Sequence, residues 1–329
     1  MQLKGWVELN GQVLSIQKIQ NIIADHPEQI SGFGGEFYLE SGSWRVRDKY
    51  GIIPGQIPAG SIWKGDQQIG TVNPDIVPQD LESAIVQAIK LRSDEGVTAL
   101  SGGVDSALVA VLAQCPCIAV GMAGSHDVRR ASIVAEETGL SLEIRVVTSA
   151  EIEHALIDVV RLLPDPTPVD IAIASTLYFV SETAHELGYE RILTGQGADE
   201  IFGGYSRYLD KSGEDLERTF TDDFESLSRQ GYRDQTIAGY HGAYLSMPYL
   251  DPGVVCAASR IPPNERVCGG VRKRPLREVA GRYLSLETAS YEKKAMQYGT
   301  GIWKEIKRLA RQNGYQNSVS DYIHNIRRV

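Results

Sequence analysis

Leu100–Ala113 reads LSGGVDSALVAVLA. It follows the apolar run Val97–Leu100, VTAL, and continues into an apolar stretch of helical character. A strand, a glycine turn and a helix in this order place main-chain N–H groups and a helix N-terminus together, an arrangement that suits phosphate. Ser101 and Ser106 add hydroxyl donors. Yet no lysine follows the glycines, as it does in a P-loop. Asp105 instead sits where phosphate would come closest, and a carboxylate there repels a bare phosphate. It makes sense where a divalent metal bridges carboxylate and phosphate, since Mg²⁺ favours one or two carboxylates plus phosphate oxygens.

Outward from this stretch, strands and helices alternate. VPQDLESAIVQAIKLR, Val77–Arg92, has Asp80 as N-cap candidate and Leu81, Ile85, Ala88 and Ile89 at helical spacing. After VTAL comes a helix over 105–113, then a strand, IAVGM, and a helix over 128–138 ended by Gly139. LEIRVV is a strand, 150–163 a helix, 172–187 a helix closed by Gly188, and RILTG a strand. The alternation predicts an α/β fold, a parallel sheet covered by helices. Beyond Phe202 the pattern is mostly helical. Residues 1 to about 75 read as β instead: GWVEL, VLSIQ, GEFYLES and SWRVRD are short apolar stretches broken by Gly, Pro and polar turns. The pattern changes there, so the expected domains are a β-rich segment, 1–75, and an α/β domain, 76–329.

Ligands in open parallel sheets bind beyond the carboxyl ends of the strands. A second glycine loop follows RIL: TGQGADEIFGGY, Thr194–Tyr205. It repeats the arrangement of the first, with Asp199 and Glu200 opening a helix. Either loop alone also fits a tight turn with an acidic helix N-terminus, which the helix dipole favours. The pair at two strand ends favours phosphate held through Mg²⁺.

Composition bounds the partners. The formal charge of the 329 residues is −9, which argues against coating a nucleic acid. Residues 260–329 hold 15 Lys/Arg against 6 Asp/Glu, a net of +9 that leaves −18 on the rest. That basic tail fits a solvated face or an anion-binding role. There is no long apolar run, so no membrane span is expected, and the protein is expected in the cytoplasm. Cys115, Cys117, Cys256 and Cys268 match no zinc spacing; buried thiols are expected for the first two.

SGGVDS resembles the pyrophosphate loop of the N-type ATP pyrophosphatases. LTGQGADEIFGGY, RDQTIAGYHGAYLSMPYLD (Arg233–Asp251) and KKAMQYGTG (Lys293–Gly301) narrow the resemblance to the asparagine synthetase and β-lactam synthetase branch. It implies an adenine-nucleotide α-hydrolase-like domain with a helical C-terminal part. It also implies attack of a substrate carboxylate on the α-phosphorus of ATP, release of pyrophosphate, and displacement of AMP by an amine. Mg²⁺ on Asp105 and Asp199 would neutralise the leaving pyrophosphate. Ser101, Gly102, Gly103, Asp105, Ser106, Gly195 and Gly197 would line the nucleotide phosphates. Met122, ending AVGM, would hold adenine through backbone groups. Lys293 matches the family's lysine near the α-phosphate. Gln196, Ser175, Tyr244 and Asp234 fall in segments that carry the substrate pocket.

The sequence departs from the family in four places. GFGGEFYLES and WRVRDKYGIIPG, within 32–55, resemble part of the family's glutamine amidohydrolase domain. Gln2 stands where glutamine-using members have their cysteine, so residues 1–75 read as a shortened remnant without a nucleophile. Ammonia, another amine, or ammonia from a separate glutaminase subunit would then serve. Gln196 replaces a Glu or Tyr; an amide can orient an amine but cannot take its proton. Tyr244 stands for Glu and Ser246 for Arg. Ile173 stands where relatives often carry Arg, which weakens the expectation of aspartate as the carboxylate. Three readings stay open: an amide-forming ligase, an adenylating enzyme with another nucleophile (thiolation, NAD synthesis), and a nucleotide-sensing scaffold. A homo-oligomeric assembly is equally open.

Overall fold

The computed structural model describes residues 1–292, 296–316 and 318–328. The chain divides into two compact units. One comprises Met1–Asp94, Gly195–Gln235 and Ser246–Val279; the other comprises Glu95–Thr194, Thr236–Leu245 and Ala280–Val329.

In the first unit, β1 (Gln2–Leu9), β2 (Gln12–Val13), β3 (Gly34–Ser41), β4 (Trp44–Arg47), β5 (Ser61–Lys64) and β6 (Gln67–Thr71) form one antiparallel sheet, ordered β2-β1-β3-β4-β5-β6. One face buries Val7, Phe37, Leu39, Val46 and Ile62 against Phe33 and Ile30. In the stretch VLSIQ, expected to be extended, only Val13 lies in a strand, and a helix begins at Ile16. Ser15 accepts from Lys18 N at 3.4 Å and caps the helix Ile16–Asp25. Ile19 and Ile23, one turn apart, then join the sheet's core. The RD pair of SWRVRD is architectural. Asp48 is buried and accepts the main-chain N–H groups of Phe37, Ile52 and Ile53 at 3.3, 2.9 and 3.1 Å. Burial still pushes its carboxyl up to about 6, against the pull of those N–H groups. The helix Leu81–Lys90 starts where expected, with Asp80 accepting from Ser83 N at 3.0 Å.

In the second unit, β7 (Val97–Ala99), β8 (Cys117–Met122), β9 (Leu142–Val147), β10 (Arg191–Leu193) and β11 (Tyr244–Ser246) form a sheet ordered β11-β10-β7-β8-β9. The β10/β7, β7/β8 and β8/β9 pairs are parallel. From β7 the chain moves outward through β8 to β9 and then crosses to β10 on the other side of β7. The strand order therefore reverses between β7 and β10, where open sheets bind ligands. The predicted helices are present as Val104–Ala113, His126–Thr138, Ser149–Leu162 and Pro168–Glu186. The last begins earlier than its apolar spacing suggested. Thr167 and Asp170 form a capping box and Pro168 occupies the first turn, which sets the start four residues upstream. Cys115 and Cys117 are buried, and burial pushes the Cys117 thiol up to about 12. Among the described residues, no helix is long and apolar enough to cross a membrane.

Candidate active site

The first loop leaves the carboxyl end of β7, where Leu100 N–H donates to Ile118 O at 2.8 Å. Gly102 has φ +73°, and a methyl group on it would fall 2.5 Å from Arg130 Cβ and 2.6 Å from the Arg130 carbonyl carbon. Only glycine lets the loop lie on helix His126–Thr138 so closely. Gly103 then caps the helix Val104–Ala113. Ser106, expected to donate to phosphate, has another task. It donates to Gly103 O at 3.2 Å, accepts from Ser101 N at 3.2 Å, and stands 2.8 Å from Ser101 Oγ. A hydroxyl has one donor and two acceptor sites, so these contacts occupy Ser106 and close the loop on itself. Asp105 lies in the first helical turn, one carboxylate oxygen shielded from solvent. First-turn N–H groups there have no intrahelical acceptor.

At the end of β8, both main-chain groups of Met122 are engaged. Its N–H donates to Thr300 O and its carbonyl accepts from Ser125 N, both at 2.9 Å. Only the second lone pair of that carbonyl remains for an adenine amine. Thr300 belongs to the KKAMQYGTG motif. The motif is thereby pinned to the strand predicted to hold adenine; Lys293 itself lies outside the described residues. The segment before it is pinned as well. Glu137 accepts from the Ser285 hydroxyl at 2.9 Å and the Thr288 hydroxyl at 2.7 Å, Arg130 pairs with Glu287 at 3.0 Å, and Tyr291 OH lies 2.5 Å from His126 Nε2. The Arg130 guanidinium also lies over the Tyr291 ring, 3.9 Å from its centre.

The second loop, which opens at Gly195, belongs to the first unit. Gly197 caps the short helix Ala198–Phe202. Gln196 Nε2 donates to Asp234 Oδ2 at 2.6 Å, and Arg233 Nε donates to Asp234 Oδ1 at 2.6 Å. Two predicted pocket residues, Gln196 and Asp234, are thus brought together. Asp199 pairs with Lys273, whose ammonium lies 2.6 Å from Oδ1. The pair fits because Gly204 has no side chain: a methyl there would overlap the Asp199 carboxylate and Lys273 Cε. Glu200 accepts from Tyr205 OH at 2.5 Å and Gln230 Nε2 at 3.3 Å. Burial raises its carboxyl above the ordinary range despite these bonds.

The other two predicted pocket residues have their hydroxyls engaged within the second unit. Ser175 is buried inside helix Pro168–Glu186 and donates to Ile171 O at 2.7 Å, so its hydroxyl serves its own helix. Tyr244 sits at the amino end of β10. Its N–H donates to Glu190 O at 2.7 Å, and its hydroxyl accepts from Arg191 Nε at 2.6 Å. Ligands of parallel sheets bind at the opposite end. Lys273, Arg130 and Tyr291 lie outside the motifs quoted from the sequence, and Arg233 enters only as the first residue of one. Lys273 left one trace: it lies within the basic run RKR, Arg272–Arg274, in a left-handed backbone conformation of φ +56° that lysine rarely adopts.

Among the described residues no three His, Cys, Asp or Glu side chains cluster for a metal. The Asp199 side chain is 44% exposed, within reach of a hard cation, and carboxylates with few protein ligands are what Mg²⁺ accepts beside phosphate.

A parallel sheet whose strand order reverses, with a closed glycine–serine loop on one of its central strands, defines an open α/β protein of the kind that binds ligands beyond its strand ends. The asparagine synthase family model matches residues 80–238 and 225–325. The chain belongs to that family. Glutamine-hydrolysing asparagine synthetase B of Escherichia coli K12 is 27% identical over 300 residues, 78% of this chain and 54% of that protein. A Methanocaldococcus jannaschii protein assigned as a glutamine-hydrolysing asparagine synthetase is 29% identical over 290 residues, 75% of this chain and 53% of its own length. The chain thus spans about half the length of these relatives. The NH3-dependent NAD synthetase of Campylobacter jejuni is 14% identical, covering 55% of this chain and 93% of its own, but its TM-score of 0.29 is too low to support any reading.

Proposed function

We propose that the chain is an ATP-dependent ligase that activates a small carboxylate as its acyl-adenylate, releases pyrophosphate, and forms an amide with ammonia or another amine. The observation that carries this reading is the Leu100–Ser106 loop. Ser106 locks it, Gly102 seats it on a helix, and Asp105 stands in the first turn beyond it. Main-chain N–H groups there hold the β- and γ-phosphates. By resemblance, Asp105 and Asp199 would hold Mg²⁺, which would supply charge neutralisation on the departing pyrophosphate. Lys273 keeps Asp199 in place and adds positive charge at the second loop. Lys293, by resemblance, does the same near the α-phosphate. The adenine is held at the end of β8, at Met122.

Gln196 is fastened to Asp234, which favours a tying role over an acid–base one. Its amide orients the amine without deprotonating it, so amide formation follows the free-amine fraction as pH rises. Ser175 and Tyr244 are left out of the pocket, for their hydroxyls are engaged elsewhere. Nitrogen enters in this reading as ammonium or another amine.

The test is pyrophosphate release from ATP and Mg²⁺ across a panel of small carboxylates, with and without ammonium. Carboxylate-dependent release, with amide made from ammonium and no glutamate formed from glutamine, is expected. A chain that binds ATP but releases pyrophosphate with no carboxylate in the panel would point instead to the nucleotide-sensing reading.

A further inference from the structure

The first unit contains a buried ion-pair network that the proposed chemistry does not use. Glu36, on β3, is 0% exposed, and so is Arg92, just after helix Leu81–Lys90. Arg92 Nε donates to Glu36 Oε1 at 2.8 Å, and Arg92 Nη1 donates to Asp251 Oδ2 at 2.9 Å and to Ala88 O at 2.7 Å. The Trp6 indole donates to Glu36 Oε2 at 3.2 Å, and its ring lies 4.9 Å under the Arg92 guanidinium. Ser246 Oγ also donates to Glu36 Oε2, at 2.5 Å, and Met247 N–H donates to Glu36 Oε1 at 2.8 Å. Burial alone would raise the Glu36 carboxyl, but Arg92, Ser246 and Met247 together hold it below the ordinary range. It is a charged acceptor.

The network does more than cement a core. Removing both charges for well-packed apolar groups would often cost nothing in stability, so its value lies in what it locates. Glu36 takes the two residues before the 3-10 turn Pro248–Leu250, and Arg92 takes the residue after it. Asp251 in turn caps helix Pro252–Ser259 through Gly253 N at 2.9 Å. The turn so held carries Tyr249 and Leu250. Tyr249 meets Phe202 edge-on, ring centres 5.9 Å apart. Leu250 lies on Gly197, where a methyl would fall 2.8 Å from its Cδ2. Phe202 and Gly197 are the two ends of the helix of the second glycine loop.

We propose that the N-terminal sheet is a buttress for that loop: Glu36 and Arg92 are positioning residues that clamp Ser246–Asp251 from both ends, and the clamped turn sets the place of Gly197–Phe202. The GEF motif that resembles an amidohydrolase thereby has a present task in this chain, apart from glutamine. The loop's role toward ATP rests on the function proposed above; the buttress does not.

Amide hydrogen exchange of the full chain separates the two. Glu36→Gln keeps the size of the side chain and removes its charge. Val46→Ala truncates the core of the same sheet outside the network. With denaturant adjusted to equal global stability, Glu36→Gln is expected to speed exchange of the 196–203 amides at least tenfold over Val46→Ala and wild type, leaving 118–121 unchanged. Equal exchange of 196–203 in both variants, or a uniform rise along the chain, overturns the buttress. If Glu36→Gln does not fold, Ser246→Ala, which deletes one hydroxyl, is judged by the same comparison. Glu36→Asp should return exchange toward wild type. ATP affinity is read in parallel: a freed loop with unchanged affinity keeps the buttress and refutes the ATP role of the loop.

Discussion

The two glycine loops look alike in sequence and are held by different means. The loop Ser101–Ser106 closes upon itself: Ser106 ties Ser101 and Gly103 within one helical turn. The loop Gly195–Tyr205 adds one bond of its own, Tyr205 to Glu200, to restraints borrowed from far along the chain. Asp234 holds Gln196, Lys273 holds Asp199, and Gln230 with Tyr205 holds Glu200. A loop of the first kind can be read from a short motif. One of the second kind can be changed by substitutions dozens of residues away.

The largest effect should fall on both loops alike. Asp105→Asn and Asp199→Asn each remove a carboxylate proposed to hold the Mg²⁺ that neutralises pyrophosphate, and each should slow its release by roughly 10²–10³. Pyrophosphate release under saturating Mg²⁺ measures this; near-normal turnover in either variant breaks the symmetry of the two loops.

Glycine substitutions should separate them. Gly102→Ala forces a side chain into φ +73° and against the Arg130 backbone. On the order of 2–4 kcal/mol of stability should be lost, read by urea unfolding. Gly204→Ala drives a methyl into the Asp199–Lys273 pair. That pair is partly exposed, so unfolding should shift less while pyrophosphate release falls as far as in Asp199→Asn. The opposite ranking would mean that the second loop, not the first, carries its own rigidity.

Acid should act on the second loop through Glu200. Its carboxyl is raised by burial, so the folded state binds the proton more tightly than the unfolded chain. That contribution to stability is complete below the ordinary carboxylate pKa and is lost as pH rises through the raised value. Glu200→Gln keeps an acceptor for Tyr205 and Gln230 and removes the titration. The variant should gain in Tm over wild type as pH climbs from 4 to 8; parallel Tm curves for the two proteins would contradict the burial argument.

The smallest change is expected at Ser106→Ala. It deletes the local tie of the first loop, worth about 1 kcal/mol, and should weaken ATP binding without abolishing it. A loss as deep as that of Asp105→Asn would mean that Ser106 contacts the substrate itself.

By itself the sequence determined the α/β alternation, the first loop and the family. Each depends on neighbours in the chain: apolar spacing marks strand and helix, and glycine before a helix marks the turn. Two local signals were outweighed. VLSIQ reads as extended throughout, yet Ser15 caps a helix that starts at Ile16, and Pro168 with the Thr167–Asp170 box moves a helix start upstream of its apolar pattern. Tertiary structure alone decided the partners. Nothing near Glu36 in sequence announces Arg92, Ser246 or Asp251, and nothing near Asp199 announces Lys273. It also turned Tyr244 onto Arg191 and Ser175 onto its own helix. The physical reason is that periodicity reports which face of an element is buried, whereas a buried charge or hydroxyl must find its partner wherever the fold brings one, at any separation along the chain.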